Sequence, residues 1–244
     1  MFVNRYRMAE KVIEVRSMYE KVQEYCKGYE CGGEPDFIVE TVQEDIELER
    51  EREITCAERE GRKPHDSSEA YREELAVYRR IAEWMPVNDT VLFHGSVIAV
   101  DGQGFLFTAK SGTGKSTHTR LWRELLGERA VMVNDDKPLL KITEDGVIAY
   151  GTPYNGKHRL GCNMSVRLKG LCILEQSEDN HIERIDKAQA YPMLLQQVYR
   201  PFDGAMMAKT MSLVDKMAKY TELYRLGCNM DISAAEVAYN GMKG

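Results

Sequence analysis

The chain has 244 residues, a formal net charge of −6 and 30% charged residues. That length holds one large domain or two small ones, and the acidic balance argues against a nucleic-acid partner, which would need a basic face. No apolar run reaches membrane-span length, the first residues lack the apolar segment of a secretory signal, and the six cysteines contain no C-x-x-C pair, so the expectation is a reduced, cytoplasmic protein without disulfide staples, a cysteine zinc site or a membrane partner.

Residues 1–88 read as an N-terminal accessory α+β region. Lys11–Val15 has the pattern of a short strand, Met18–Cys26 of a short helix, and Cys31–Asp36 (CGGEPD) of a turn cluster. Phe37–Val42 alternates as a strand does. Glu44–Glu60 is crowded with Glu and Arg, the composition of a solvated helix with opposite-charge pairs. GRKPHDSS breaks the chain. A second helix runs from Ser68 and Glu69 to about Trp84, with Leu75, Tyr78, Ile81 and Ala82 on one face, and Pro86 ends it.

From Thr90 the texture changes, and residues 89–244 read as a second domain. Thr90–Val100 (TVLFHGSVIAV) and Gly102–Ala109 (GQGFLFTA) are strand-like runs joined by the hairpin signal Asp101-Gly102. A helix-like run, HTRLWRELLG, follows the next loop. ERAVMVNDD is a buried strand ending in two aspartates, and KPLLKITEDGVIAYGTPY is a hairpin turning at Asp145-Gly146. VRLKGLCILEQ is another strand. Ala188–Gln196 and Pro201–Met217 read as helices, Leu223–Met230 as a late strand and Ser233–Tyr239 as a final helix. RLGCNM occurs at Arg159–Met164 and again at Arg225–Met230, but the flanks differ and no duplicated module is inferred.

The stretch that carries chemistry is Ser111-Gly112-Thr113-Gly114-Lys115-Ser116-Thr117, set between a strand and a helix. Glycines let backbone N–H groups converge on one point, and a helix N-terminus adds partial positive charge there. In such a phosphate cradle Lys115 reaches the outer phosphates and the Ser116 hydroxyl holds Mg²⁺, so the expected ligands are ATP and Mg²⁺. Ala109 stands where the strict motif has its first glycine. Asn134-Asp135-Asp136 follows the next buried strand, where one carboxylate can order Mg²⁺ and the other can take a proton from an attacking hydroxyl. His94, in LFHGS, has three open roles: contact with phosphate, a metal ligand, or a bond to a neighbouring carboxylate. Gly151–Asn163 (GTPYNGKHRLGCN) gathers Lys157, His158 and Arg159, either to stabilise transferred charge or grip an acidic substrate, or as an exposed basic loop. His118 and Arg120 read as facing solvent or the nucleotide rim.

Together these residues resemble the HPr kinase/phosphorylase and ATP-dependent phosphoenolpyruvate carboxykinase superfamily. HGSVIAVDGQGFLFTAKSGTGKST is similar to its histidine strand, hairpin and S-G-x-G-K-[ST] loop, and VMVNDD to its paired-aspartate motif. The likeness spans about Leu92 to Val166. It implies an α/β fold with a carboxykinase-like P-loop kinase core of mixed β-sheet and helices. It further implies that Lys115 binds the β- and γ-phosphates, that Ser116 and Asp136 serve Mg²⁺, that Asp135 is the general base and that His94 lies near phosphate or metal. Arg159 joins Asp135, His94 and Lys115 as a candidate catalytic residue. The expected function is a kinase acting on a hydroxyl, such as a serine, of a peptide, protein or small molecule, in a chain that could self-assemble. A carboxykinase-like lyase and a non-catalytic nucleotide-binding regulator are the alternatives. The glycine-rich signature of HPr kinases is absent, so the acceptor need not be HPr.

Overall fold

Hydropathy patterning differs on the two sides of residue 84, and so does the architecture it builds. A computed structural model describes residues 1–156 and 158–244. They divide into two units, Met1–Trp84 and Met85–Gly244.

In the first unit, β1 (Phe2–Met8) and β2 (Lys11–Ser17) form an antiparallel hairpin, and β3 (Phe37–Glu40) adds to β2 in parallel. The short helix α1 (Lys21–Tyr25) lies between β2 and β3, and α2 (Gln43–Arg59) and α3 (Glu69–Trp84) follow. Tyr6, Ile13, Val22, Ile46, Val77 and Ile81 are fully or almost fully buried. The expected helical face of α3 is corrected in one respect: Leu75 is half-buried, whereas Glu73 and Glu74 are buried. The Glu73 carboxylate accepts from the Met18 and Tyr19 N–H groups at 2.6 and 2.8 Å and from the Thr41 hydroxyl at 2.6 Å. Arginines of α3 bind carboxylates of α2: Arg80 to Asp45 at 2.7 Å, Arg79 to Glu49 and Arg72 to Glu53. The strand β1 was not legible in the sequence, because its outward Arg5 and Arg7 interrupt an already short apolar pattern.

The second unit is a mixed α/β structure. Its strands are β4 (Thr90–Leu92), β5 (Ser96–Val100), β6 (Gln103–Thr108), β7 (Ala130–Asn134), β8 (Leu139–Thr143), β9 (Gly146–Tyr150), β10 (Ser165–Gln176), β11 (His181–Arg184) and β12 (Glu222–Cys228). The described strands join in the order β4-β8-β9-β10-β6-β5-β7, with β12 also on β10 and β11 on β12. The long β10 makes this possible: Ser165–Arg167 pair antiparallel with β9, and Gly170–Gln176 pair parallel with β12. On its other edge β10 runs parallel to β6. The carboxyl ends of β6, β10 and β12 therefore open on the same side of the sheet, the usual place for a ligand crevice in such sheets.

Helices cover both faces, which explains the continuous apolar runs in β5 and β6. Val97, Ala99 and Leu106 pack with Leu194 of α5 (Lys187–Gln197) and with Leu213, Val214 and Met217 of α6 (Gly204–Tyr220). Ile98, Val100, Phe105 and Phe107 face the other way, against Leu121 and Trp122 of α4 (Lys115–Leu126) and the alanines of α7 (Ser233–Met242). Thr90–Val100 is not one strand, as its composition suggested, but breaks at Phe93–Gly95. The His94 N–H leaves the sheet to bond the Gln197 carbonyl at 2.9 Å. A Cβ at Gly95 would sit 2.7 Å from the Leu106 side chain, so the chain passes too close there for any larger residue. The two copies of RLGCNM take different structures, the first irregular and the second entering β12. No described helix is long and apolar enough to cross a membrane.

Candidate functional site

The loop between β6 and α4 is shaped by two glycines. Gly112 has φ 80° and Gly114 φ 115°. A Cβ at either would meet nothing within 4 Å, so glycine is required here by backbone conformation and not by crowding. The N–H and hydroxyl of Thr113 both return to the Lys110 carbonyl, at 3.2 and 2.8 Å. Gly114 caps α4, and the first helical bond runs from the His118 N–H to the Gly114 carbonyl. The N–H groups ahead of His118 are left at a helix N-terminus, where an anion is favoured. Ser111 and Ser116 are exposed, and Thr113, Gly114, Lys115 and Thr117 are half-buried.

The Asn134–Lys137 turn sets the two carboxylates apart. Buried Asn134 accepts from the N–H groups of Asp136 and Lys137 at 2.9 and 2.7 Å, and its amide donates to the Thr152 hydroxyl at 3.1 Å. This local side-chain turn aims consecutive aspartates in different directions. Asp135 accepts from the Gly156 N–H at 2.6 Å, while Asp136 meets His94 Nε2 at 3.3 Å and Lys137 Nζ at 2.5 Å. The turn is tied to the start of β5 by the Ser96 hydroxyl on the Asp135 carbonyl (2.9 Å) and the Gly95 N–H on the Asp136 carbonyl (3.0 Å).

Electrostatics join this turn to Lys115. Burial holds the Lys115 ammonium below the usual lysine range; Asp136 opposes that shift and Lys137 adds to it. Burial alone would raise the Asp136 carboxyl. The hydrogen bond from His94 and the charge and hydrogen bond of Lys137 outweigh it, and the carboxyl lies well below its usual range. Asp136 is therefore ionised at neutral pH, facing three cationic or potentially cationic side chains. His94 is positioned from the far end of α5, its Nδ1 lying 2.7 Å from Gln197 Oε1.

The structure thus brings His94 and Asp136 together, with the Asp136 charge acting on Lys115 without a hydrogen bond or ion pair among the described residues. Asp135 turns instead to the Gly151–Asn163 loop, which folds back tightly: a Cβ at Gly151 would lie 1.9 Å from the Cys162 carbonyl oxygen. Arg159 is exposed at φ 47°, in a turn closed by its N–H on the Gly156 carbonyl at 3.0 Å. Lys157, part of the basic cluster, lies outside the described residues.

A cleft of about 640 Å³ adjoins the glycine loop at the strand ends, lined by Gly112, Thr117, His118, Gln176, Cys228 and Met230 among others. Here the solvent-facing alternative for His118 is corrected. It is 2% exposed, because it packs edge-on to Phe107 and accepts from the Trp122 indole N–H at 3.0 Å. Burial pushes its pKa down to about 4, so the ring is neutral at pH 7. Arg120, in contrast, is exposed and paired with Glu124.

The exposed Ser116 hydroxyl and the ionised Asp136 are hard oxygen donors of the kind Mg²⁺ takes. Among the described residues no group of three or more His, Cys, Asp or Glu is arranged to hold a metal. Sequence reasoning gave no role to Asn134, although it adjoins the aspartates and Asn is a residue of turns. Gln197 had no signal at all, since it reaches His94 across 103 positions of chain.

Comparison with known proteins adds a family. No curated protein matches the chain. Among solved structures, the Hpr(Ser) kinase/phosphatase from Coxiella burnetii matches at 11% identity and a TM-score of 0.34, over 63% of this chain and 99% of that one; so slight a likeness carries no argument. The model of the SynChlorMet cassette protein ScmC matches residues 73–233, more than half of the chain. The chain belongs to the ScmC family.

Proposed function

We propose that the chain is an ATP-dependent kinase whose P-loop core lies in residues 89–244, with residues 1–88 as an accessory region. The observation that carries this reading is that the carboxylate of Asp136, held by His94, acts on Lys115 at the mouth of a glycine loop. In this reading Ser111–Thr117 cradle the phosphates and Lys115 binds the outer ones. Ser116 and Asp136 would hold Mg²⁺, which when bound neutralises phosphate charge. Asp135 accepts the proton of an acceptor hydroxyl such as a serine. The hydroxyl oxygen bonds the γ-phosphorus as the bond to the β-phosphate oxygen breaks, leaving ADP and a phosphoester. In this reading Arg159, on the loop whose Gly156 touches Asp135, meets charge on the acceptor or the transferred group.

The test is calorimetry with ATP in magnesium buffer, followed by γ-labelled ATP with serine-containing acceptors. Binding and transfer are expected in the unmodified protein, and no uptake of ATP or ADP would end the proposal. One observation favours a second reading, a nucleotide-binding regulator: Lys137 already sits on Asp136 Oδ2, where a cation would bind. ATP binding without transfer to any acceptor would select it.

A further inference from the structure

We infer that Gln176, the last residue of β10, reads the base of the bound triphosphate through its side-chain amide, with Cys228 and Met230 as the apolar contact. This rests on the phosphate-site reading above and deepens it by naming the residue that discriminates the base.

The sheet order gives the direction. β6, which leads into the glycine loop, has β5 and β7 on one side and β10 and β12 on the other. His94, at the entry to β5, and Asp136, just after β7, lie on the first side, and the Asp136 charge acts on Lys115. With the outer phosphates at Lys115 and Asp136, the other end of the triphosphate points toward β10 and β12. The cleft of about 640 Å³ lies on that side. Gly112, Gly114 and Thr117 form its wall at the loop, and Gln176, Cys228 and Met230 contribute from the strand ends. The volume is ample for a nucleoside.

The pleat aims the side chains. Cys172 and Leu174 of β10 and Tyr224 and Leu226 of β12 pack in one cluster with Leu121 and Trp122 of α4, whereas Leu171, Ile173 and Leu223 pack on the opposite face. Gln176 and Cys228 are partners in the β10–β12 register, and alternation carries both to the α4 face. Gln176 is exposed, and among the described residues its amide makes no hydrogen bond. Cys228 packs against the core, and Met230 is 80% exposed, an adaptable side chain free to lie along a ring. A glutamine amide presents a donor and an acceptor side by side. Adenine presents the complement, an exocyclic N–H beside a ring nitrogen.

Calorimetry with Mg²⁺–ATP, Mg²⁺–GTP and Mg²⁺–tripolyphosphate separates the base from the phosphates. Gln176→Leu is expected to weaken ATP about tenfold and to leave tripolyphosphate within about twofold. Gln176→Glu keeps the size but can only accept. Guanine offers it two adjacent N–H groups where adenine offers one, so the ratio of ATP to GTP affinity should fall about tenfold. That ratio cancels the effect of the added charge on the phosphates. Unchanged ATP affinity in the Leu variant, an equal loss for ATP and tripolyphosphate, or an unchanged ratio in the Glu variant overturns the assignment. The unmodified protein gives a further readout: the side-chain amide ¹H–¹⁵N signals of Gln176 should move with ATP and not with tripolyphosphate, and no movement with ATP refutes the contact. If the protein binds tripolyphosphate as tightly as ATP, this inference fails and the phosphate site stands; if it binds neither, both fall.

Discussion

Both units of the chain hold carboxylates among charged partners, buried in the first and half-buried at Asp135 and Asp136 in the second, and they satisfy them differently. In the first unit Glu73 has three donors, Glu49 is bound by Arg79 and Arg52, and Asp45 by Arg80 and the Val42 N–H. Each set closes within the unit, and the groups staple a strand or a helix pair. In the second unit the cationic partner at the glycine loop is left open: among the described residues the Lys115 ammonium makes no hydrogen bond or ion pair, and the charges of Asp136 and Lys137 act on it in opposite senses. Buried charge alone is therefore weak evidence of function. An incomplete set of partners beside a cleft is stronger evidence.

Variants sharpen that contrast. Asp135→Asn is expected to lower phosphotransfer by about 10³-fold while ATP binding stays within about twofold, read by γ-label transfer beside calorimetry; wild-type transfer rates would remove Asp135 as the base. Acid should next expose the buried His118. The unfolded chain takes up the proton below about pH 6.5, whereas the folded ring resists to about pH 4. The unfolded state thus binds more protons in that window, and stability falls as pH drops through it, by about 3 kcal/mol in all. Urea melts from pH 7 to 4 should show this slope reduced in His118→Phe, and equal slopes would mean that the ring titrates normally.

Lys115→Ala should weaken Mg²⁺–ATP by about 100-fold, seen as loss of calorimetric heat. Glu73→Ala tests the other side of the comparison: it leaves two N–H groups and a hydroxyl without their acceptor and should cost about 2 kcal/mol of stability. Nucleotide affinity should not change, and a Glu73 variant that folds yet loses ATP would break the distinction drawn here. The smallest effect is expected from Gln197→Leu, which removes the side-chain bond to the His94 ring and keeps the backbone one. Transfer should drop about tenfold with ATP affinity kept, and an unaltered rate would show that Asp136 alone positions the histidine.

The hairpins at Asp101-Gly102 and Asp145-Gly146, the strand–loop–helix around Ser111–Thr117 and the helices of the second unit were all legible in the sequence, because turn residues and apolar periodicity act locally. The extent of Thr90–Val100 was misread for a related reason. Its apolar run continues through His94, and only the approach of Gly95 to Leu106 and the pull of the Gln197 carbonyl break the strand. RLGCNM makes the same point, since one hexapeptide is irregular in one place and enters a strand in the other.

Local chemistry determined that glycines, a lysine and a serine sit at the start of a helix and that two aspartates end a buried strand, because backbone freedom and hydropathy are properties of neighbours in sequence. Tertiary structure alone decided that Asp135 meets the Gly156 N–H, that His94 is held by α5, and that His118 is buried with one nitrogen unmatched. Those outcomes depend on partners between 4 and 103 positions away, brought within hydrogen-bonding distance by the folding of the sheet and its helices.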